Sequence, residues 1–244
     1  MSETIRLLVW PALATAVVSY CLGSISFSII FTRIFGHSTD IRSMGSGNAG
    51  MANVLRSVGA KAAVCTTICD FAKCAGSVVI GRMIFQAVCT ANHLPFYYTQ
   101  YGAFLAGFTC VLGHIYPVFF GFRGGKGILS TSALMLVLDW RIFIVAISVW
   151  AITMILTRIV SLSSILAAAS FPVSTFIFAY SDYRSKASGF GVLPLSYVWI
   201  TTAIAFGFAV ILIWKHRANI ERLRNGTEKK MSVKHAPKLK KHDS

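Results

Sequence analysis

Seven stretches of this 244-residue chain are too apolar to be left in water and too numerous to share one soluble core. They run from about Leu7 to Ile30, Ala62 to Val88, Gly102 to Phe122, Gly127 to Leu138, Ile142 to Leu156, Leu162 to Tyr180 and Leu195 to Trp214. A bilayer accepts such runs. With no water there to satisfy backbone groups, only helices or closed barrels cross it. Runs near 20 residues predict helices. The expected fold is therefore all-α: a polytopic integral membrane protein with a single seven-helix domain over 1–214 and a basic tail over 215–244. Composition agrees, since only 13% of residues are charged, about half the usual share of roughly 25% in soluble domains.

The fourth run is the difficult one. At 1.5 Å per residue, Gly127 to Leu138 cannot cross about 30 Å of hydrocarbon unaided. Asp139-Trp140-Arg141 is interfacial in character and predicts a turn before the fifth run. One long helix over Gly127 to Leu156 is the alternative, because the break contains neither Gly nor Pro.

Charge then gives orientation. With seven crossings, four polar stretches fall on one side: Phe31–Lys61, Arg123–Lys126, Thr157–Ser161 and the tail. They hold 17 of the 23 Lys and Arg residues. The positive-inside rule places them in the cytoplasm and the N-terminus outside. The tail reads as a segment facing anionic headgroups, with no nucleic acid expected as partner. The six cysteines lie in or beside apolar runs, form no CxxC and have no histidine placed to complete a metal site. They are expected to be reduced, with no metal and no cofactor. No cleavable signal is evident.

Those four stretches carry the chemistry. Around Ser46-Gly-Asn48-Ala-Gly50, glycines at 45, 47 and 50 allow close backbone approach. Ser46, Asn48 and Asn53 offer neutral donors, and Arg42 and Arg56 offer charge. Gly124-Gly125-Lys126-Gly127 precedes a serine-rich helix and looks like an anion seat, with N–H groups at the helix start and an ammonium beside them. It is not a Walker A sequence, whose spacing fails. Thr157-Arg158 and Ser161, Ser163 and Ser164 cap and anchor the next span or line a site. His216 and Asn219 are three apart on one helical face, and His114 sits near Pro117. Asp70 and Lys73 lie three apart inside the second run, where charges usually pair. Together these segments imply an anionic, phosphorylated ligand reached from one membrane face. A transporter for such ligands would need polar groups through the midplane, and Asp70, Lys73 and Arg82 make a thin pathway.

The sequence resembles the bacterial acyl-phosphate:glycerol-3-phosphate acyltransferases, the PlsY family. The matching segments are GSISF at Gly23–Phe27, SGNAGMANVLR at Ser46–Arg56, D-x-x-K at Asp70–Lys73, GHIYPVFFGFRGGKG at Gly113–Gly127, TRIVSLSS at Thr157–Ser164 and HRANIERLRNGTE at His216–Glu228. They cover nearly the whole chain in the family order. Ser26 stands where the family usually has Pro, and Ser28 where Gly is usual; both bear on the shape of a helix end. The H-x4-D motif of other glycerol-phosphate acyltransferases is absent, since Phe119 follows His114 by five and Arg42 follows His37 by five.

The resemblance implies a seven-span enzyme of the bacterial inner membrane that acylates glycerol 3-phosphate from acyl phosphate. The product is lysophosphatidic acid, and the soluble enzyme that makes acyl phosphate is a candidate partner. Lys126, Ser164 and His216 would be catalytic. Substrate would be bound by Ser46, Asn48, Asn53, Arg56, Gly124, Gly125, Gly127, Ser161, Ser163 and Asn219. Asp70, Lys73, His114 and Arg158 would support them, and residues 215–228 of the tail would belong to the site. Lys126 and the GGKG amides are expected to hold the donor phosphate, and Arg56, Asn219 and His216 the glycerol 3-phosphate.

Overall fold

In a computed structural model the described residues are 3–36, 38–186 and 188–231. His37 and the last thirteen residues of the basic tail lie outside them. All regular structure among the described residues is helical: α1 (Glu3–Gly23), α2 (Phe27–Phe35), α3 (Met51–Ser57), α4 (Ala60–Ala91), α5 (Tyr98–Ile115), α6 (Ile128–Leu138), α7 (Trp140–Thr157), α8 (Val160–Ser185), α9 (Leu195–Lys215) and α10 (Arg217–Arg224). Six segments are long and apolar enough to cross a membrane, the first counted through α1 and α2, while α6 has 11 residues. The chain is thus an all-α polytopic membrane protein.

The predicted turn at Asp139 is present, and the single long helix is not. Asp139 leaves helical geometry and its carboxylate accepts the Arg141 N–H at 2.9 Å, capping α7. Arg141 then spans Asp139 and Asp182, each at 2.7 Å, tying α7 to α8. The first predicted run is a correction: it breaks at Ser24–Ser26. Ser26 is extended (φ −93°, ψ 92°) and precedes α2. Its hydroxyl lies 3.2 Å from that of Ser28, so two buried serines hold a break where proline and glycine are usual.

Packing follows the membrane rule that small residues let helices close. A Cβ on Gly23 would run into the Cys110 backbone, and one on Gly113 would come 2.9 Å from the Ser24 nitrogen, so α1 and α5 touch backbone to backbone. Phe208 of α9 stands edge-on to Phe108 of α5 (5.3 Å) and Phe171 of α8 (5.8 Å), joining the two halves of the bundle. Outward positions such as Trp10, Ile155 and Leu156 are more than three-quarters exposed, which suits lipid contact.

Candidate active site

The site forms where α3, α6, α8 and α10 present their ends to one another. The loop before α3 meets the turn before α6 at Ala49 and Gly125, and that turn joins α10 and the start of α8 through Lys126, Asn219, Glu228 and Ser161, so the four share one end of the bundle.

The loop before α3 is built around Asn53, which is 1% exposed. Its carboxamide donates to the carbonyls of Ile41 (3.2 Å) and Met44 (2.9 Å) and accepts the Ser46 N–H at 3.0 Å. Asn53 therefore clamps the loop, which corrects the expectation that it binds substrate directly. Arg42 is likewise committed: it grips Asp40 and donates to the Phe120 carbonyl at 2.6 Å. Ser46 and Arg56 remain exposed, and Asn48 is half-buried.

The turn before α6 rests on the end of α5. Gly124 N–H donates to the Ile115 carbonyl and Gly125 N–H to the His114 carbonyl, both at 3.1 Å. This too corrects an expectation, because those two amides are spent on the turn. The amides of Lys126, Gly127 and Ile128 make no hydrogen bond among the described residues. Gly127 takes φ +85°, a left-handed conformation that favours glycine, to launch α6. A Cβ on Gly125 would collide with the His114 ring and come 2.5 Å from the Ala49 carbonyl, so this glycine is a contact requirement.

His114 is held from behind. Its Nδ1 lies 3.2 Å from Lys73 Nζ, which also donates to the Ile25 carbonyl at 2.7 Å and pairs with Asp70 at 2.6 Å. The expected Asp70–Lys73 pair is thus a buried tie between the α1–α2 break, α4 and the base of the glycine turn.

Lys126 Nζ donates to the Asn219 carboxamide oxygen. The Asn219 amide nitrogen donates to Glu228 at 2.7 Å, Ser161 Oγ donates to the same Glu228 oxygen at 2.7 Å, and Arg222 Nε donates to the other at 2.6 Å. Glu228 closes the 215–228 segment expected to belong to the site but has no individual role in that expectation, although it ends the last matching motif and is one of only eight acids in the chain. Ser163 and Ser164 donate instead to the carbonyls of Ile159 (3.0 Å) and Val160 (2.8 Å), so Ser164 has no base at its hydroxyl and is not placed as a nucleophile. Arg158 is an exposed left-handed cap (φ +58°) whose carbonyl accepts the Met231 N–H at 2.7 Å, fastening the chain beyond α10 to α7.

The charges are tuned by this enclosure. Burial pushes the Lys126 ammonium down to about 8; Glu228 opposes the shift, and Arg222, Arg56 and Lys215 add to it by repulsion. His216 is 3% exposed, and burial pushes it down to about 4 against the hydrogen bond of its Nδ1 to the Leu212 carbonyl at 2.8 Å. That bond assigns the proton to Nδ1 and leaves Nε2 as a lone pair. Burial would raise the Glu228 carboxyl, but hydrogen bonds from Ser161, Asn219 and Arg222 outweigh it and hold it below the usual range.

The family pattern described as glycerol-3-phosphate acyltransferase matches residues 13–226. The chain belongs to the glycerol-3-phosphate acyltransferase family. Among its relatives, the glycerol-3-phosphate acyltransferase of Jannaschia sp. is 36% identical over 217 residues, covering 89% of this chain and 91% of that one. That of Brucella anthropi is 37% identical over 218 residues, covering 89% and 92%. The crystal structure of PlsY, an integral membrane glycerol 3-phosphate acyltransferase, is similar in its glycerol 3-phosphate form, with a TM-score of 0.69 and 29% identity over 91% of this chain and 96% of that one. Its lysophosphatidic acid form gives a TM-score of 0.67, also at 29% identity, over 91% and 95%.

Proposed function

We propose that the protein transfers a fatty acyl group from acyl phosphate to the 1-hydroxyl of glycerol 3-phosphate, releasing phosphate and 1-acyl-glycerol 3-phosphate. The observation that carries this reading is the contact of Lys126 with Asn219 and, through it, Glu228 and Ser161, at the end of an apolar bundle. Two phosphate groups need cations and N–H donors, and the site offers Lys126 with the amides of 126–128 on one side and Arg56 on another. The glycerol 3-phosphate and lysophosphatidic acid forms of the PlsY neighbour are the acceptor and product of this reaction.

The glycerol oxygen attacks the acyl carbonyl carbon, the bond to phosphate breaks and the hydroxyl proton must leave. Ser163 and Ser164 donate to backbone carbonyls, Ser161 donates to a Glu228 carboxylate whose basicity is already reduced by Asn219 and Arg222, and the cysteines sit in α1, α4 and α5, so the reading is that the acyl group passes directly between substrates. An acyl phosphate is activated already, and alignment with charge stabilisation supplies what remains. His216 Nε2 is a lone pair fit to accept a hydrogen bond from the hydroxyl. The neutral His216 ring, whose conjugate acid has a pKa of about 4, is a weaker base than a phosphate oxygen, whose conjugate acid has a pKa of about 6. The departing phosphate therefore takes the proton, and His216 orients the hydroxyl.

The distribution of basic residues supports a site on the cytoplasmic face of a bacterial inner membrane, the N-terminus outside, seven crossings with α6 as a partial one, and a single membrane domain over 1–214 whose tail contributes residues 215–228. Purified protein given acyl phosphate and glycerol 3-phosphate should release phosphate and 1-acyl-glycerol 3-phosphate, with acyl-CoA giving none. Turnover with acyl-CoA alone would overturn the donor assignment, and no acylation of glycerol 3-phosphate by either donor would overturn the reading.

A further inference from the structure

Away from Lys126, at the same end of the bundle, the end of α2, the Asp40–Ser43 turn and the loop after α5 enclose an open groove of about 780 Å³. Three arginines line it, Arg33, Arg42 and Arg123, against one acid, Asp40. Asp40 gathers two of them: Arg42 Nη2 lies at 2.7 Å and Arg33 Nη2 at 3.6 Å. The Arg42 fork is fixed from both ends, because Nη1 also donates to the Phe120 carbonyl at 2.6 Å. The groove thus carries a surplus of two positive charges with one guanidinium already oriented.

Its rim is apolar. Phe119 is 60% and Phe122 57% exposed, and Ile34 beside Arg33 is 64% exposed. Phe122 is held at φ +59° by its N–H bond to the Pro117 carbonyl at 2.9 Å. A bulky residue rarely accepts that conformation, which costs about 1–2 kcal/mol. Exposed rings beside cations suit the boundary between acyl chains and headgroups.

We infer that this groove binds the headgroup of an anionic glycerophospholipid from the surrounding leaflet. The phosphodiester would meet the guanidiniums of Arg33, Arg42 and Arg123, and the chains would lie along Phe119, Phe122 and Ile34. The charge surplus selects against zwitterionic lipids, whose ammonium would face the same guanidiniums. The apolar rim selects a lipid over a soluble phosphate. This reading is independent of which acyl donor the enzyme uses.

The test uses the full-length protein in nanodiscs of equimolar phosphatidylglycerol and phosphatidylcholine, released and weighed by native mass spectrometry. The parent should retain phosphatidylglycerol in preference to phosphatidylcholine. R33Q/R123Q should lower that preference by about tenfold, a loss of about 1.4 kcal/mol. Neutralising the distal tail (K234Q/K238Q/K240Q/K241Q) should leave it in place. Acylation of glycerol 3-phosphate within about twofold of the parent would show that R33Q/R123Q is folded; R33Q and R123Q taken singly serve if it is not. Equal retention of both lipids by the parent would overturn the inference. So would an unchanged preference in the arginine variants, its loss in the tail variant alone, or displacement of the lipid by millimolar inorganic phosphate.

Discussion

Raising the pH should discharge Lys126 before any other group whose titration the site displaces. Its ammonium is pushed from 10.5 to about 8, chiefly because the side chain is withdrawn from water between α10 and the turn before α6. That difference corresponds to about 3 kcal/mol of charging free energy. The folded value lies below the free one, so the charged form is lost as pH rises through about 8. One unit below, the ammonium outnumbers the amine about tenfold; one unit above, the ratio is reversed. A charged hydrogen bond to phosphate is worth roughly 1.5–3 kcal/mol, and about 3% of the ammonium survives at pH 9.5, so kcat/KM should fall about ten- to thirtyfold between pH 7 and 9.5. The same limb in kcat should lie at higher pH, because bound phosphate favours the ammonium. His216, at about 4, stays neutral across this range. The assay is the pH profile of phosphate release at low glycerol 3-phosphate for the parent, Lys126→Arg and Lys126→Ala. Lys126→Arg should lose the alkaline limb, since its guanidinium does not titrate, and Lys126→Ala should be low and flat. A parent profile flat to pH 9.5, or a limb unchanged in Lys126→Arg, would refute the assignment.

Other substitutions test the same architecture. Arg56→Ala and Lys126→Ala should each lower kcat/KM by more than about tenfold, because each removes a cation facing phosphate; turnover within twofold of the parent would refute those roles. Gly125→Ala should abolish most activity through collision with His114, whereas Gly76→Ala, whose added methyl meets nothing within 4 Å, should match the parent; equal activities would show that the turn tolerates displacement. Asp70→Asn leaves the Lys73 ammonium unpaired and should lower thermal stability by about 3–5 kcal/mol, with Asp70→Leu/Lys73→Met recovering much of that loss; a double variant no more stable than Asp70→Asn would argue against the pair as the source.

What the sequence displays well is what a local pattern can encode. Apolar length set α4, α8 and α9 to within a few residues, and a polar triplet without Gly or Pro marked the α6–α7 turn because Asp139 is a capping residue. The same triplet concealed its partner, Asp182, 41 residues on. The α1–α2 break was invisible because serines replaced the residues that usually announce it; the break is held by tertiary contacts, Lys73 on the Ile25 carbonyl and Gly23 on Cys110. Candidate site residues are legible by residue type, but which of their atoms are free is set by the fold. Asn53, Gly124 and Gly125 have the donors that phosphate wants, yet backbone carbonyls nearby take those donors first. Glu228 lies in the 215–228 segment expected at the site, but its role depends on partners as distant as Ser161, which no local pattern displays. In the fold it is the acceptor that collects Ser161, Asn219 and Arg222 into one wall.

The two networks explain each other's position. Glu228 gathers the α8 and α10 side of the site, and Asp70 with Lys73 and His114 braces the α4 and α5 side. Lys126 bridges them: its turn rests on His114 through Gly125, and its ammonium reaches Asn219. Each network contains one carboxylate that is spent on protein groups, so neither faces a ligand with uncompensated negative charge. The cations left over, Arg56 and Lys126, come from different elements, α3 and the turn before α6. An alignment enzyme needs this division, because two anionic substrates must be brought together against their own repulsion by positive groups that cannot drift apart. Loosening either brace should therefore impair orientation more than affinity, lowering kcat before it raises KM.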